Sequence, residues 1–163
     1  MMTATRYAAG TDVPVDRSIA EIRKTLRRYK ADSFAFGEEA GRAIIGFAAY
    51  GRHVRFILAL PDPDDAEFTI TPTGKRRTAA AAESAYEAAV RQVYRVFALV
   101  IKAKLEAVES GLVTFQSEFL AHIVLPGGQT VGDAVDGRVD EAYATGQVPA
   151  LLPDYRRAIE SGH

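Results

Sequence analysis

The segment RQVYRVFALVIKAKLEAVESG, residues 91–111, has the strongest periodic pattern in the chain. At 100° per residue, a helix through this segment gathers its large apolar side chains along one side. They are Val90, Val93, Phe97, Ile101, Leu105 and Val108, with Val96 and Val100 widening the same side. The charged side chains Arg91, Arg95, Lys102, Glu106 and Glu109 lie opposite. This pattern predicts a helix from Thr78 to about Ser110 that is buried over a broad arc and ends at Gly111.

Upstream of this helix, RAIIGFAAYGRHVRFILAL, residues 42–60, predicts a β-hairpin that closes at Gly51-Arg52 with Tyr50 opposite His53. Side chains alternate between the two faces of a strand, and cross-strand partners share a face. One face then contains only apolar residues: Ala43, Ile45, Phe47, Ala49, Val54, Phe56, Leu58 and Leu60. We expect this face to pack on the core and the other face to be open.

Two further signals lie ahead of the hairpin. DSFAFG, residues 32–37, predicts a short strand, and Ser18 with Glu21 can form a capping box at the start of SIAEIRKTLRRYKA. A helix is therefore expected from Ser18, and residues 1–16 are expected to form an irregular arm. Residues 61–77, PDPDDAEFTITPTGKRR, are expected to form a loop or an extended arm around EFTIT.

Shorter helices are predicted after the long one. Thr114 can cap FQSEFLAHIVL, and Thr130 with Asp133 can form a capping box ahead of VGDAVDGRVDEAYATG. Residues 154–163 are expected to form a tail. The sequence thus predicts a single α+β domain over residues 1–163. Its αβββα core is a three-stranded antiparallel sheet packed on one long α-helix, with additional short C-terminal helices.

Composition limits the class of protein. The chain of 163 residues is 48% hydrophobic and 25% charged, which is typical of one globular domain. It has no cysteine, so disulfides, thiolate metal ligands and a cysteine nucleophile are excluded. No apolar run approaches the ~20 residues that cross a bilayer, and the first residues lack the apolar segment of a signal peptide. We therefore expect a cytoplasmic protein with no membrane attachment.

The sequence contains no recognisable catalytic motif. The histidines His53, His122 and His163 are scattered, and HExxH, P-loop, GxSxG and GxGxxG patterns are absent. Asp62, Asp64 and Asp65 lie in a proline-rich loop that is interpreted as solvated. We expect no catalytic residue, no metal site and no cofactor, although an enzyme of unrecognised type stays open.

Charge is unevenly distributed along the chain. Residues 1–105 contain 17 Lys and Arg against 12 Asp and Glu, whereas residues 106–163 contain 3 against 9. This asymmetry indicates either a basic binding surface with an acidic C-terminal part, or two parts that neutralise each other within the fold or across an oligomer.

Basic and aromatic residues near the hairpin and the start of the long helix are the candidate nucleic-acid ligands. Cationic side chains neutralise phosphates, aromatic rings stack on bases, and the start of a helix favours anions. The candidates are Arg42, Tyr50, Arg52, His53, Arg55, Lys75, Arg76, Arg77, Arg91 and Arg95. A hairpin face that is simply solvated, or covered by the acidic C-terminal helices, is the alternative.

Three segments, VIKAKLEAVESG, EFLAHIVLPGGQTVGD and VPALLP, resemble a family of small uncharacterised proteins encoded by phages and prophages. The resemblance spans residues 7–153 and implies a viral or mobile-element origin, without assigning any site residue. The order of elements also resembles two nucleic-acid-binding folds. One is the double-stranded RNA-binding domain, whose phosphate-binding segment is paralleled only by GKRRTAA; the other is the core of phage single-strand annealing proteins, which oligomerise.

These observations favour a non-enzymatic, phage-type accessory protein that binds single- or double-stranded nucleic acid and forms a homo-oligomer. The alternative is a protein–protein interaction module, such as a phage inhibitor of a host defence or replication factor. That module would act through the acidic C-terminal half, around Asp133, Asp136, Asp140 and Glu141.

Overall fold

A three-stranded antiparallel sheet is the centre of the molecule. The computed structural model describes residues 12–152, with side chains from residue 15 onward. Strands β1 (Ser33–Glu39), β2 (Arg42–Ala49) and β3 (Arg52–Ala59) lie side by side in chain order. Ala48 lies opposite His53 and Ala49 opposite Arg52, so Tyr50 and Gly51 form the turn. The predicted Tyr50–His53 register is therefore wrong by two residues, because Tyr50 belongs to the turn and not to the strand.

A shift of two residues leaves every side chain on its predicted face, and the predicted core face is confirmed. Its central side chains are fully buried: Ala43, Ile45, Phe47, Ala49, Val54 and Phe56. Leu58 and Leu60 pack at its margin. Phe34 and Phe36 of β1 share this face, because they lie opposite Phe47 and Ile45.

Two helices cover the core face. Helix α1 (Asp12–Arg28) contributes Val15, Ile19, Ile22 and Leu26, and helix α3 (Ala79–Glu109) packs alongside it. Helix α1 begins six residues before the predicted Ser18, so Ser18 lies inside the helix and the capping box predicted there is wrong. Of the predicted arm, residues 12–16 are helical and residues 1–11 lie outside the described residues.

Helix α3 has the predicted ends, with Thr78 as N-cap and Ser110 as C-cap. Its buried side is Val90, Tyr94, Phe97, Ala98, Ile101 and Leu105. Val96 and Val100 are exposed, so the broad buried arc predicted from the sequence is wrong on that side. The helix turns Tyr94 inward, where its hydroxyl donates a hydrogen bond to a carboxylate oxygen of Glu38.

The segment between β3 and α3 has a defined structure instead of forming an extended arm. A single helical turn, α2 (Ala66–Thr69), buries Phe68 against Tyr86 of α3. Ile70 and Arg76 then form an antiparallel bridge, closed by a hydrogen bond from the Thr71 backbone N–H to the Lys75 carbonyl.

The C-terminal elements close the end of the sheet at the β2–β3 turn. Helix α4 (Phe115–Phe119) places Phe115 and Phe119 against Phe47, and a 3₁₀ turn follows at Leu120–His122. Val124 then donates its backbone N–H to the His53 carbonyl, beside the free edge of β3. Helix α5 (Val131–Thr145) begins with the predicted capping box of Thr130 and Asp133. Residues 153–163, including the predicted tail, lie outside the described residues.

Candidate nucleic-acid interface

The five candidates on the hairpin do not share one surface. Arg42 begins β2 and pairs with Ala59, whereas Arg52 begins β3 at the opposite end of the sheet. An eight-residue strand spans roughly 25 Å, which separates Arg42 from the β2–β3 turn. The sheet therefore places Arg42 beyond the reach of a site formed around Arg52.

Tyr50 and Arg52 lie toward α4. The Tyr50 ring stacks on Phe115 with 4.8 Å between ring centroids. The Arg52 guanidinium donates to the Gly51 carbonyl at 3.2 Å and to Oε1 of Gln116 at 3.4 Å. Both side chains are partly occupied by contacts within the fold, so they are poorly placed to meet a ligand together with His53.

His53 and Arg55 share the face of the sheet that carries no helix. This open face is made mainly of small residues and forms a shallow depression of about 450 Å³. Arg55 is half-buried, and its guanidinium donates to the Gly128 carbonyl at 2.7 Å. Its Nε is buried without a hydrogen-bond partner in the described part of the chain. Arg55 therefore holds the turn before α5, and of these two side chains only His53 has no hydrogen-bond partner among the described residues.

The candidates around the start of α3 also separate into two places. Lys75 and Arg76 are exposed, while Arg77 is half-buried with its Nε donating to the Ile70 carbonyl at 3.3 Å. Arg91 lies three turns further along the helix, where it pairs with Glu87 at 3.6 Å. Arg95 is exposed. The ten predicted residues thus do not converge on one basic patch.

A denser group of cations lies at the end of α1 and is absent from the residues predicted as ligands from the sequence. The run RKTLRRYK, residues 23–30, has five cationic residues and no carboxylate. We name Arg23, Lys24, Arg27, Arg28 and Lys30, with Phe34, the α1 basic surface. None of its cations takes part in either salt bridge found within residues 12–152. A run of five cations without a carboxylate was the signal that could have identified it.

The α1 basic surface also contains aromatic rings. The Arg23 guanidinium lies over Phe34, 5.1 Å from the ring centroid, and Arg28 lies over Tyr29 at 5.7 Å. A depression of about 300 Å³ lies beside them, lined by Arg23, Arg27, Ser33 and Phe34 among others. A guanidinium held over a ring is positioned in advance, which lowers the entropy lost when it binds an anion.

Like charges are adjacent in this group. Arg23 and Arg27 are four residues apart on the helix, as are Lys24 and Arg28, and each such pair costs ~0.2–0.5 kcal/mol. The helix dipole favours Arg27 and Arg28 in the last turn. It offers less to Arg23 and Lys24, one turn earlier. An anionic ligand would relieve the repulsion that remains.

Helix α5 carries most of the predicted acidic surface. Asp136, Asp140 and Glu141 are exposed, and Asp133 is used by the capping box. Hydrogen bonds from the Thr130 side chain and backbone lower the pKa of the Asp133 carboxyl. Val139 and Tyr143 lie on the same face of the helix as Asp136 and Asp140, and Tyr143 is 89% exposed.

Two further ionisable side chains, Lys104 and His122, have structural partners. The Lys104 ammonium donates to Oε1 of Glu118 at 2.8 Å and so ties α3 to α4. The His122 ring stacks on Phe56 with 3.9 Å between centroids. Within residues 12–152 no group of three or more His, Asp or Glu is arranged to hold a metal ion.

None of the helices between residues 12 and 152 is long and apolar enough to cross a membrane. Comparison of the chain with protein-family models, with curated proteins and with solved structures finds no match.

Proposed function

We propose that this protein binds nucleic acid through the α1 basic surface. The observation that carries the proposal is the run of five cations between Arg23 and Lys30, which lack a carboxylate partner among the described residues and lie beside Phe34. Phosphates would contact the ammonium and guanidinium groups, and the Arg23–Phe34 pair offers a flat surface to a base. With the resemblance to phage-encoded proteins, the role we propose is that of a non-catalytic, phage-type accessory protein acting in the cytoplasm.

The location differs from the surface expected from the sequence. Arg52, Arg55 and Arg77 donate hydrogen bonds within the fold, and Arg91 has a carboxylate partner. Lys24 and Arg28 are exposed and are free of such partners in the described part of the chain. Free cations bind phosphate without breaking existing contacts, which favours α1 over the hairpin.

Fluorescence anisotropy with a labelled oligonucleotide tests the proposal. Single- and double-stranded probes are titrated with the wild type and with a Lys24→Glu, Arg28→Glu variant at two salt concentrations. Each lost phosphate contact should lower the slope of log K against log salt by ~0.7 for single strands or ~0.9 for duplex. We expect the variant to bind at least tenfold more weakly and with a shallower salt dependence.

A Lys75→Glu, Arg76→Glu variant is the matched control, because it makes the same charge change at exposed positions near the start of α3. It should bind nearly as well as the wild type. If the α1 variant binds as tightly as the wild type, the proposal is overturned. If only the control variant loses affinity, the nucleic-acid site lies at the start of α3. Binding to anionic lipid vesicles but not to either oligonucleotide would assign the surface to lipid.

A protein partner for α5 is a second candidate. The favouring observation is the exposed stripe of Asp136, Val139, Asp140 and Tyr143, on a helix that buries none of its own residues. Carboxylates around an exposed aromatic ring suit a basic protein surface. An Asp136→Lys, Asp140→Lys variant with unchanged oligonucleotide binding would separate this stripe from the nucleic-acid site.

A further inference from the structure

Helix α3 has an apolar face that nothing in the described chain covers. Val96 is 46% exposed, Leu99 61% and Val100 38%. Leu99 lies on the side of the helix opposite Phe97 and Ile101, which enter the core, and Val96 and Val100 lie between Leu99 and that buried side. The neighbouring positions on this outer face are uncharged: Ala85, Ala88, Gln92 and Ala103. We name Val96, Leu99, Val100 and Ala103 the outer apolar face.

One flank of this face has an ordered charge pattern. Arg91, Arg95 and Lys102 occur in its first part, and Glu106 and Glu109 in its second part. Arg91 and Arg95 thus precede Leu99, and Glu106 and Glu109 follow Val100, with Lys102 between the two groups. This order opposes the helix dipole, which favours carboxylates near the start and cations near the end, so the dipole does not account for it.

The charge pattern becomes complementary when two copies of α3 run antiparallel. A two-fold axis perpendicular to both helices brings the same flank of each copy together, with the residue order reversed. Arg95 of one copy then lies at the height of Glu106 in the other, and the pairing occurs twice. The same arrangement brings the two Leu99 side chains close together at the centre.

We propose that the outer apolar face is the interface of an antiparallel homodimer. The apolar centre supplies the attraction, and the Arg95–Glu106 pairs select the orientation. In a parallel pair the two-fold axis runs along the helices, so the charged flanks of the two copies lie on opposite sides of the interface and the Arg95–Glu106 pairs do not form. Nucleic acid is disfavoured here because Glu106 and Glu109 repel phosphate, and this surface is separate from the α1 basic surface.

Analytical ultracentrifugation over a range of concentrations tests for the dimer. The wild type should dimerise, and Leu99→Lys should be monomeric; circular dichroism should show an intact fold, because Leu99 is mostly exposed. Arg95→Glu and Glu106→Arg should each raise the dimer dissociation constant about tenfold, and the double variant should restore it. A monomeric wild type, a dimeric Leu99→Lys variant, or no rescue by the double variant would overturn the proposal.

Crosslinking reads out the orientation directly, because the chain has no cysteine of its own. Leu99→Cys lies near the two-fold axis, so a short bismaleimide should join the two copies. Gln92→Cys should not crosslink, because antiparallel helices hold the two positions about 25 Å apart along the axis. Crosslinking of both variants to the same extent would indicate a parallel pair and overturn the antiparallel one. Oligonucleotide binding by Leu99→Lys tests the α1 proposal separately.

Discussion

Ala40 adopts a backbone conformation that L-residues other than asparagine and aspartate rarely occupy. Strands β1 and β2 are joined by Ala40 and Gly41, with φ of 47° and 74°. Tyr50 and Gly51 join β2 and β3 with φ of 52° and 72°. Two residues of positive φ form the hairpin turn that matches the twist of the strands, and Asn-Gly is its preferred sequence. Stacking of the Tyr50 ring on Phe115 offsets the cost of the positive φ at Tyr50, whereas the exposed Ala40 side chain has no such contact to offset its own.

Replacing Ala40 should therefore change stability according to the new residue's tolerance of positive φ. We expect Ala40→Asn to raise the free energy of unfolding by roughly 0.5–1 kcal/mol, because asparagine accepts the left-handed region. Ala40→Val should lower it by more than ~1 kcal/mol, because a β-branched side chain clashes there. Urea denaturation of both variants measures the change, and a shift of both in the same direction would contradict the explanation.

The same turns show what could be predicted residue by residue. The alternation of side chains identified the buried face of β2 and β3 correctly, because a face depends only on whether a position is odd or even. The register needed the turn residues as well. The residues around Tyr50 did not indicate that it would take a positive φ, because the ring that stabilises this conformation, Phe115, lies 65 positions later in the chain. Arg55 is a similar case, since its acceptor Gly128 is equally remote in sequence.

At the scale of elements, the packing of helix α5 depends on the close approach of Gly132 to the Ala121 carbonyl in the 3₁₀ turn. A Cβ built on Gly132 would lie 2.9 Å from the Ala121 carbonyl oxygen, whereas one on Gly137 meets nothing within 4 Å. Gly132 lies in the first turn of α5 and Gly137 in its interior, and alanine has the higher helix propensity. The difference between the two replacements therefore reports mainly the contact of Gly132 with the 3₁₀ turn.

We expect Gly137→Ala to raise the free energy of unfolding by about 0.5–1 kcal/mol. Gly132→Ala should lower it by about 1–3 kcal/mol, because backbone must move to admit the methyl group. Chemical denaturation gives both values. Amide hydrogen exchange across α5 should show faster exchange in Gly132→Ala only. Equal effects of the two replacements would show that α5 does not pack closely on Ala121.

Element ends were predicted well where local chemistry sets them and poorly where packing does. Thr78 and Thr130 cap α3 and α5 as expected, because the side-chain oxygen bonds a backbone N–H within the same turn. Helix α1 extends past Ser18 instead, and its Val15 packs in the core. In the sequence of α3, the valines on either margin of the apolar side are equally apolar, so the pattern alone does not indicate which margin is buried. Packing against α1 and Glu38 turned Tyr94 inward and left Val96 outside, and this exposure gives the candidate dimer face.

At the scale of the whole molecule, burial of ionisable groups makes global stability depend on pH at both ends of the range. Burial lowers the pKa of His122, and the charge of Lys104 acts in the same direction, while the Asp133 carboxylate opposes them. The folded protein therefore binds this proton less readily than the unfolded chain does. The stabilisation is complete above the unfolded value of about 6.5 and is lost as the pH falls below it.

His122→Phe removes this titration and keeps an aromatic ring against Phe56. We expect the free energy of unfolding of the wild type to fall between pH 7.5 and pH 5.5, and that of the variant to fall less. Urea denaturation at both pH values measures the two slopes. Identical slopes would show that His122 does not contribute to the loss of stability in acid.

Tyr94 has the opposite effect in alkali. Its ring is fully buried, its hydroxyl donates to Glu38, and burial followed by the Glu38 interaction raises the pKa of the hydroxyl far above its usual value. Above about pH 10 the unfolded chain loses this proton while the folded protein keeps it, so stability present below that pH falls as the pH rises. Tyr94→Phe should therefore cost about 1 kcal/mol at pH 8, through the lost hydrogen bond.

The deficit of Tyr94→Phe should shrink as the pH rises above 10, because only the wild type loses stability through this proton. Urea denaturation of both proteins at pH 8, 9.5 and 10.5 follows the difference. Tyr143→Phe, at an exposed position, is the control and should differ from the wild type by a constant amount. A Tyr94→Phe deficit that is independent of pH would mean that the hydroxyl ionises equally well in both states. The Glu38 contact between β1 and α3 would then contribute nothing to the alkaline limit of the fold.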